Sequence, residues 1–380
     1  MKIAGNWIDH PGTQAVCQTL EKAGYRALFV GGCVRNAVIG VPVADIDIAT
    51  DAVPETVSDL ARSAGFRVIP TGITHGTVTV IAEGHAHEVT TFRRDVETDG
   101  RHAVVAFSDR VEEDAARRDF TMNALYADRS GVVIDPLGGL PDLRMRRIRF
   151  IGAASDRIAE DHLRILRFFR FYAHFGDPSA GIDPDGLAAC AEAADQIDTL
   201  SHERLGAEIQ KLLAATNPAP AIASMAAAGV LSVALPGADP RGLAPLVHLE
   251  GARSPRWQRR LALLGGHDLP ERLRLSRQEA AEIHHIRDNV GTNRSPAALG
   301  YLLGDAVATD VVLVRAALLE QPIPSDWEAE IARGALAECP VRAADLMAKL
   351  QGAALGARLQ DVKNRWLASD LMLTKEQLLA

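Results

Sequence analysis

The sequence predicts a small α/β domain followed by a long all-α region. Three observations carry that prediction. Short apolar runs broken by glycines and aspartates fill roughly the first 140 residues, two aspartates alternate with isoleucines in one of those runs, and from about Ile158 onward helical periodicity replaces strand signals. The divisions expected are 1–142 for the α/β domain, 143–220 for a first helical segment and 221–380 for the remaining helices.

The α/β part is organised around Leu28–Asp51, LFVGGCVRNAVIGVPVADIDIATD. Leu28, Phe29 and Val30 read as a strand that ends at Gly31-Gly32, a helical turn carries Arg35, and a second strand follows with Asp45, Ile46, Asp47 and Ile48. Carboxylates at i and i+2 of a strand share one face, and the isoleucines share the other. Their repulsion is removed by a hard divalent cation, and oxygen-only ligands favour Mg²⁺, the metal that serves phosphoryl and nucleotidyl displacement. Glycines at the strand end let backbone N–H groups approach a phosphate, and Arg35 adds charge-assisted contacts to it. Together these residues spell a nucleoside triphosphate held over metal, with Asp45 and Asp47 as the ligands. Taken singly, each fragment also reads as a turn or a solvated edge strand.

At 380 residues, two to four domains are expected, and a composition 47% hydrophobic and 24% charged is that of a globular protein with a core. Cys17, Cys33, Cys190 and Cys339 form no CxxC pair, which suggests neither zinc nor a disulfide framework and points to a reducing compartment. The N-terminus MKIAGNWIDHPG has no apolar run of a signal peptide, and no stretch approaches the roughly 20 apolar residues of a membrane span. A cytoplasmic location is expected. The net charge of −8 argues against a nucleic-acid partner only on average, because binding needs a local basic stripe. Four such stripes occur, at 144–149, 164–170, 252–260 and 271–277, each of which also reads as an ordinary solvated face.

In order along the chain, residues 11–24 predict an amphipathic helix and 54–64 a helix opened by Pro54 and closed by Gly65. Strands follow at 66–69, 77–81 and 87–92. Glu88, in the last of these, becomes the third acidic group if its strand lies beside Asp45 and Asp47, either completing the metal site or taking a proton. A polar loop is expected at 95–102, carrying Gly100, of the mobile kind that often acts as a lever or lid. A helix over 114–127 groups Arg117, Arg118 and Asp119 on one side, either paired with each other or dividing phosphates and ribose between them. A strand at 131–135 then meets the Pro/Gly-rich turn DPLGGLPDL, which ends the domain.

The segment Ala159–Phe175 predicts one helix with Leu163, Leu166, Phe169 and Phe171 inward. On it Asp161 and Arg164, and Arg164 and Arg167, are i,i+3 neighbours, and Glu160 stands four residues before Arg164. An intrahelical ion pair is one reading. The other is that a carboxylate beside a guanidinium matches the Watson–Crick edge of cytosine or adenine, whose exocyclic amine adjoins a ring-nitrogen acceptor, and mismatches uracil and guanine. Ser201 caps a further helix, 201–213, and beyond Asn217 alanine- and leucine-rich helices alternate with Pro/Gly breaks, without a repeat period. His267-Asp268 lacks ligand partners at plausible spacing, so no second metal-dependent hydrolase domain is expected.

GGCVRN with DIDIATD, EVTTFRRD, TDGRH, RRDFTMNAL, DPLGGLPDL, EDHLRILRFFRF and SHERLGAEI stand in the order of the class II nucleotidyltransferases, and residues 26–215 thereby resemble the family of CCA-adding tRNA nucleotidyltransferases and bacterial poly(A) polymerases. The resemblance implies a head with a mixed sheet, followed by helical neck, body and tail segments that lie along the acceptor arm of tRNA. It implies that Asp45 and Asp47 hold Mg²⁺ with Glu88 as a third carboxylate, and that Gly31, Gly32 and Arg35 meet the triphosphate. It further implies that Arg117, Arg118 and Asp119 surround phosphates and ribose, and that Asp161 and Arg164 select CTP or ATP with Arg167 and Arg170 nearby. Asn36 stands where the family commonly has Asp. The resemblance points to CCA addition at the tRNA 3′ end with CTP and ATP as substrates. A poly(A) polymerase is set lower because the C-terminus SDLMLTKEQLLA is nearly neutral, and the Asp99–Arg101 loop argues against a CC-only enzyme. An A-only enzyme and a catalytically silent RNA-binding protein are the remaining alternatives.

Overall fold

A computed structural model describes residues 1–73, 76–99, 102–348 and 350–380, with 71, 95–99 and 102–105 described by backbone alone. The chain divides into two units, one of Met1–Leu200 with Ala227–Val233 and the other of Ser201–Ala226 with Ala234–Ala380.

Among the described residues the first unit holds nine strands: β1 (Leu28–Val30), β2 (Asp47–Thr50), β3 (Arg67–Gly72), β4 (Thr77–Ala82), β5 (His85–Thr91), β6 (Arg93–Asp99), β7 (His102–Phe107), β8 (Tyr126–Ala127) and β9 (Val133–Ile134). Seven form a sheet in the order β3-β4-β5-β2-β1-β8-β9. The β2–β5 pair is parallel and every other neighbour pair is antiparallel, so the sheet is mixed, as expected. β1 lies inside it, between β2 and β8, and buries all three residues, which is why that run is uniformly apolar. β4 alternates half-buried and buried positions because only one of its faces meets the helices Pro11–Lys22 and Pro54–Ser63.

Three expected elements differ. Of the polar stretch at 95–102, residues 95–99 and 102 belong to a two-stranded ribbon in which β6 and β7 pair from Arg93↔Phe107 to Asp99↔His102. An Asp-Gly dipeptide between extended segments is a hairpin signal that polarity alone conceals; Gly100 and Arg101 lie outside the described residues. The helix expected over 114–127 is instead Val111–Ala116, followed by a 3₁₀ turn at Thr121–Asn123 and by β8. Asp119 is the local reason, since its carboxylate accepts the Phe120 N–H at 2.8 Å and so competes with helical bonding. The helix expected over 159–175 is two helices, Ala154–Glu160 and Leu163–Phe175, parted by an extended Asp161. The second buries Ile165, Leu166, Phe168, Phe169, Phe171 and Tyr172, leaving Leu163 half-buried. Phe168 and Phe171 join Phe120 and Phe150 in one aromatic core, with ring centroids 4.9 to 6.3 Å apart.

The second unit is helical and is organised by buried charge. Arg259 and Arg260, on the helix Trp257–Leu264, are each 1% exposed. Arg259 donates to Glu250 at 2.8 Å and to Asp310 at 3.0 Å, and Arg260 donates to Glu250 at 2.6 Å. Arg260 also donates to the carbonyl of Leu213, which the end of the helix His202–Leu213 leaves without an intrahelical partner, and to that of Thr216 just beyond it. Arg256 pairs with Asp310 at 3.0 Å and with Glu282, and Arg253 pairs with Glu328. Within the stripe at 252–260, Arg259 and Arg260 are therefore turned inward, while Arg253 and Arg256, each about a third exposed, are paired with carboxylates. Among the described residues, no helix is long and apolar enough to cross a membrane.

Candidate nucleotide site

β1 delivers Gly31 with φ +70° and ψ −118°, a conformation that L side chains rarely adopt, and the helix Gly32–Ile39 starts at the next residue. A Cβ on Gly31 would lie 3.4 Å from Nη1 of Arg118, so a guanidinium stands over this helix N-terminus. The partial positive charge of the helix end and the arginine both favour an anion there.

β2 runs beside β1 with Ile48 opposite Phe29, and Ile46 and Ile48 are buried. Asp47 is the first residue of β2, whereas Asp45, expected in the same strand, precedes it and is exposed. In the parallel pair Asp47 stands directly against Glu88 of β5, so the two carboxylates share a face. Burial pushes Asp47 up to about 6; Glu88 and Asp45 add to the rise and Arg118 opposes it. Among the described residues, no three His, Cys, Asp or Glu side chains close into a metal cage. That donor set suits Mg²⁺, which is commonly held by one or two carboxylates and completed by water and substrate phosphates.

Arg117 and Arg118 do not pair with Asp119. Both pair with Asp114, a residue the sequence reading passed over. Asp114 is buried and accepts from Arg117 Nη2 at 2.7 Å, from Arg118 Nη2 at 3.0 Å and from the Tyr126 hydroxyl at 2.6 Å. Burial would raise its pKa, but the two arginines and Tyr126 prevail and hold it at about 2. The signal was present, because 114, 117 and 118 are i, i+3 and i+4 at a helix end. Asp119 instead accepts from Arg167 Nε at 2.8 Å and from Asn123 Nδ2 at 2.9 Å.

Asn123 Oδ1 in turn accepts from Arg35 Nη1 at 2.6 Å. Arg35 is buried, and burial lowers its pKa to about 10 against the pull of Asp119. Its guanidinium lies 4.1 Å from the Phe175 ring centroid, and Arg35, Arg167 and Arg170 lie 5.3, 5.3 and 4.6 Å from that of Phe171. Asn36 Oδ1 accepts from Arg35 Nε and Nη2 at 3.1 and 2.9 Å, while its Nδ2 donates to the Pro42 carbonyl at 3.0 Å. An aspartate at position 36 would keep the first contacts and lose the donor.

Asp161 ends the helix Ala154–Glu160, and its Oδ1 accepts the Leu163 N–H at 3.1 Å. Arg164 forms the i,i+4 ion pair with Glu160 at 2.5 Å and donates to the carbonyls of Arg157 and Arg117 at 3.0 and 3.3 Å. The candidate base-reading helix is thus tied to the end of the Arg117 turn. Asp99 is the last residue of β6.

Comparison with known proteins decides the family. The Poly A polymerase head domain matches residues 27–149, and the probable RNA and SrmB-binding site of polymerase A matches 181–241. The mitochondrial CCA tRNA nucleotidyltransferase 1 of Danio rerio is 31% identical over 386 residues, covering 97% of this chain and 90% of that protein. The chain belongs to the CCA tRNA nucleotidyltransferase family. It is accordingly an enzyme, a nucleotidyltransferase. The CCA-adding enzyme of Geobacillus kaustophilus is 34% identical and matches 93% of this chain and 81% of its own length. The human mitochondrial family member is 40% identical over 203 residues, and against it the chain spans about half of that protein's length, 47%. The Bacillus stearothermophilus CCA-adding enzyme in complex with CTP superposes with a TM-score of 0.74 at 32% identity, covering 95% of this chain and 94% of that one.

Proposed function

We propose that this protein adds cytidine, cytidine and adenosine to the 3′ end of tRNA without a nucleic-acid template, using CTP twice and ATP once and releasing pyrophosphate. One observation carries the reading: Asp47 and Glu88 stand side by side on one sheet face, with Asp45 two residues away and Arg118 over the adjoining helix N-terminus. The likeness to CCA-adding enzymes over nearly the whole chain supports the substrates.

In this reading 1–142 is the catalytic head, 143–220 the neck and 221–380 the tRNA-binding body and tail. Asp45 and Asp47 hold Mg²⁺, with Glu88 backing them. A pair of such ions, when bound, supplies charge stabilisation to the attacking and leaving oxygens. Gly31 and Gly32 offer backbone N–H groups to the triphosphate, and Arg118, Arg117 and Arg35 fix its charge. Asp119 lies near the ribose, oriented by Arg167 and Asn123. Asp161 and Arg164 read the base, each held in one orientation, the first by the Leu163 N–H and the second by Glu160. Arg170 adds positive charge beside them, and the Asp99-Gly100-Arg101 segment serves as the lever for the change from CTP to ATP. Four free cysteines suit a reducing compartment, and we place the protein in the cytoplasm.

The test is extension of a tRNA transcript that ends at the discriminator base, with Mg²⁺ and CTP alone, ATP alone, both, or all four triphosphates. Two residues added with CTP and three with both are expected. A long ladder with ATP alone makes the protein a poly(A) polymerase, and no extension removes the reading. Asp114→Asn is expected to raise KM for CTP and ATP together by about tenfold or more, because one amide oxygen cannot orient two guanidiniums. Steady-state kinetics check this, and a changed tRNA KM with unchanged triphosphate KM contradicts it.

A further inference from the structure

Three of the four arginine-rich stripes are already engaged. Arg164 and Arg167 pair with Glu160 and Asp119, Arg253, Arg256, Arg259 and Arg260 pair with carboxylates, and Arg272 and Arg274 meet the Ala234 carbonyl and Glu203. The stripe at 144–149 differs. Only Arg149 in it is paired, with Asp142 at 2.9 Å. Arg144 touches the Met1 sulfur at 3.8 Å, and among the described residues Arg146 and Arg147 have no carboxylate within 4.0 Å. Arg144, Arg146 and Arg147 are exposed, with Met145 between them 52% exposed.

The segment is held in shape. Leu143 and Ile148 are buried on either side of it. Arg146 adopts φ +52°, a left-handed conformation rare outside glycine, fixed by Arg146 N–H to Leu143 O at 3.1 Å and Arg147 N–H to Asp142 O at 2.9 Å. The Arg146 carbonyl accepts the Asp177 N–H at 3.2 Å, just beyond the helix Leu163–Phe175, whose Phe175 stacks on Arg35. Asp177, whose carboxylate feels the charge of Arg146, accepts the Ser179 hydroxyl at 2.7 Å. The helix Leu140–Arg144 packs on the helix Gly32–Ile39 and on the Thr121–Asn123 turn, the elements that carry Arg35 and Asn123.

We infer that Arg144, Arg146 and Arg147 bind the sugar-phosphate backbone of the tRNA where it leads away from the nucleotide site. The proposal rests on the tRNA reading above. A rigid display of unpaired guanidiniums suits a phosphate track, which is recognised by charge and spacing rather than by base. A single exposed methionine offers too little apolar surface for a protein core contact or a bilayer.

The experiment uses the full chain, unmodified and as Arg146→Glu/Arg147→Glu, with Arg62→Glu as a control on the exposed face of the helix Pro54–Ser63. The Kd for the discriminator-ended transcript is measured at several salt concentrations, alongside KM for CTP and thermal melts. The double variant is expected to bind tRNA at least about tenfold more weakly, with a salt slope shallower by about two, at unchanged CTP KM and Tm. A Kd and slope equal to those of the unmodified chain, or an equal loss in Arg62→Glu, overturns the proposal. An unmodified chain that neither binds nor extends tRNA overturns the functional reading and this inference with it.

Discussion

Asp47→Asn is expected to lower nucleotide addition by on the order of a thousandfold or more and, in the same protein freed of metal, to raise Tm. Both effects come from the same carboxylate. Its ordinary pKa of 3.8 is carried to about 6 by burial and by Glu88 beside it, so between those values the folded state holds a proton that the unfolded chain has released. Stability from this group is therefore greatest below about pH 4 and is lost as pH rises through about 6. Above that, the ionised carboxylate costs the folded state up to roughly 3 kcal/mol. Asparagine removes the charge and with it the cost. Mg²⁺ held as proposed would relieve the same repulsion, so it is expected to raise Tm more in the unmodified protein than in the variant. Thermal melts from pH 4 to 8, with EDTA or with Mg²⁺, measure all of this. A variant that melts lower than the unmodified protein in EDTA at neutral pH would falsify the account of the site as crowded carboxylates awaiting a cation.

Glu250→Ala is expected to destabilise the helical unit by about 3–5 kcal/mol, because it leaves Arg260 a buried cation with no carboxylate and Arg259 with Asp310 alone. Glu330→Ala removes an ion pair whose members are 35% and 29% exposed and serves as the comparison, at under about 1 kcal/mol. Urea melts followed by circular dichroism separate the two. Equal midpoints would show that the Arg260 contacts to the Leu213 and Thr216 carbonyls hold the helix Trp257–Leu264 without Glu250. The burial of Arg259 and Arg260 would then need another explanation.

Several of these features were legible in the chain and several were not. Gly31-Gly32 after an apolar run, the Asp45/Asp47 alternation with Ile46 and Ile48, and the i,i+4 relation of Glu160 and Arg164 are local. A strand repeats every two residues and a helix every 3.6, so spacing alone tells which side chains share a face. The break at Asp161 and the end of the helix at Ala116 are also local, but they turn on one aspartate accepting a neighbouring N–H, which periodicity does not register.

Spacing determined the α/β class, the all-α remainder and the candidate carboxylates at positions 45 and 47. Only the tertiary structure decided what they face. Glu88 meets Asp47 through a parallel pairing register, Asp119 meets Arg167 across 48 residues, Arg35 meets Asn123 across 88, and Arg259 meets Asp310 across 51. An arginine reads the same in the chain whether its counter-charge is a distant buried carboxylate, as for Arg259, or absent from the described surroundings, as for Arg147. The difference lies in the partner that folding brings up, and periodicity carries no record of a partner so remote.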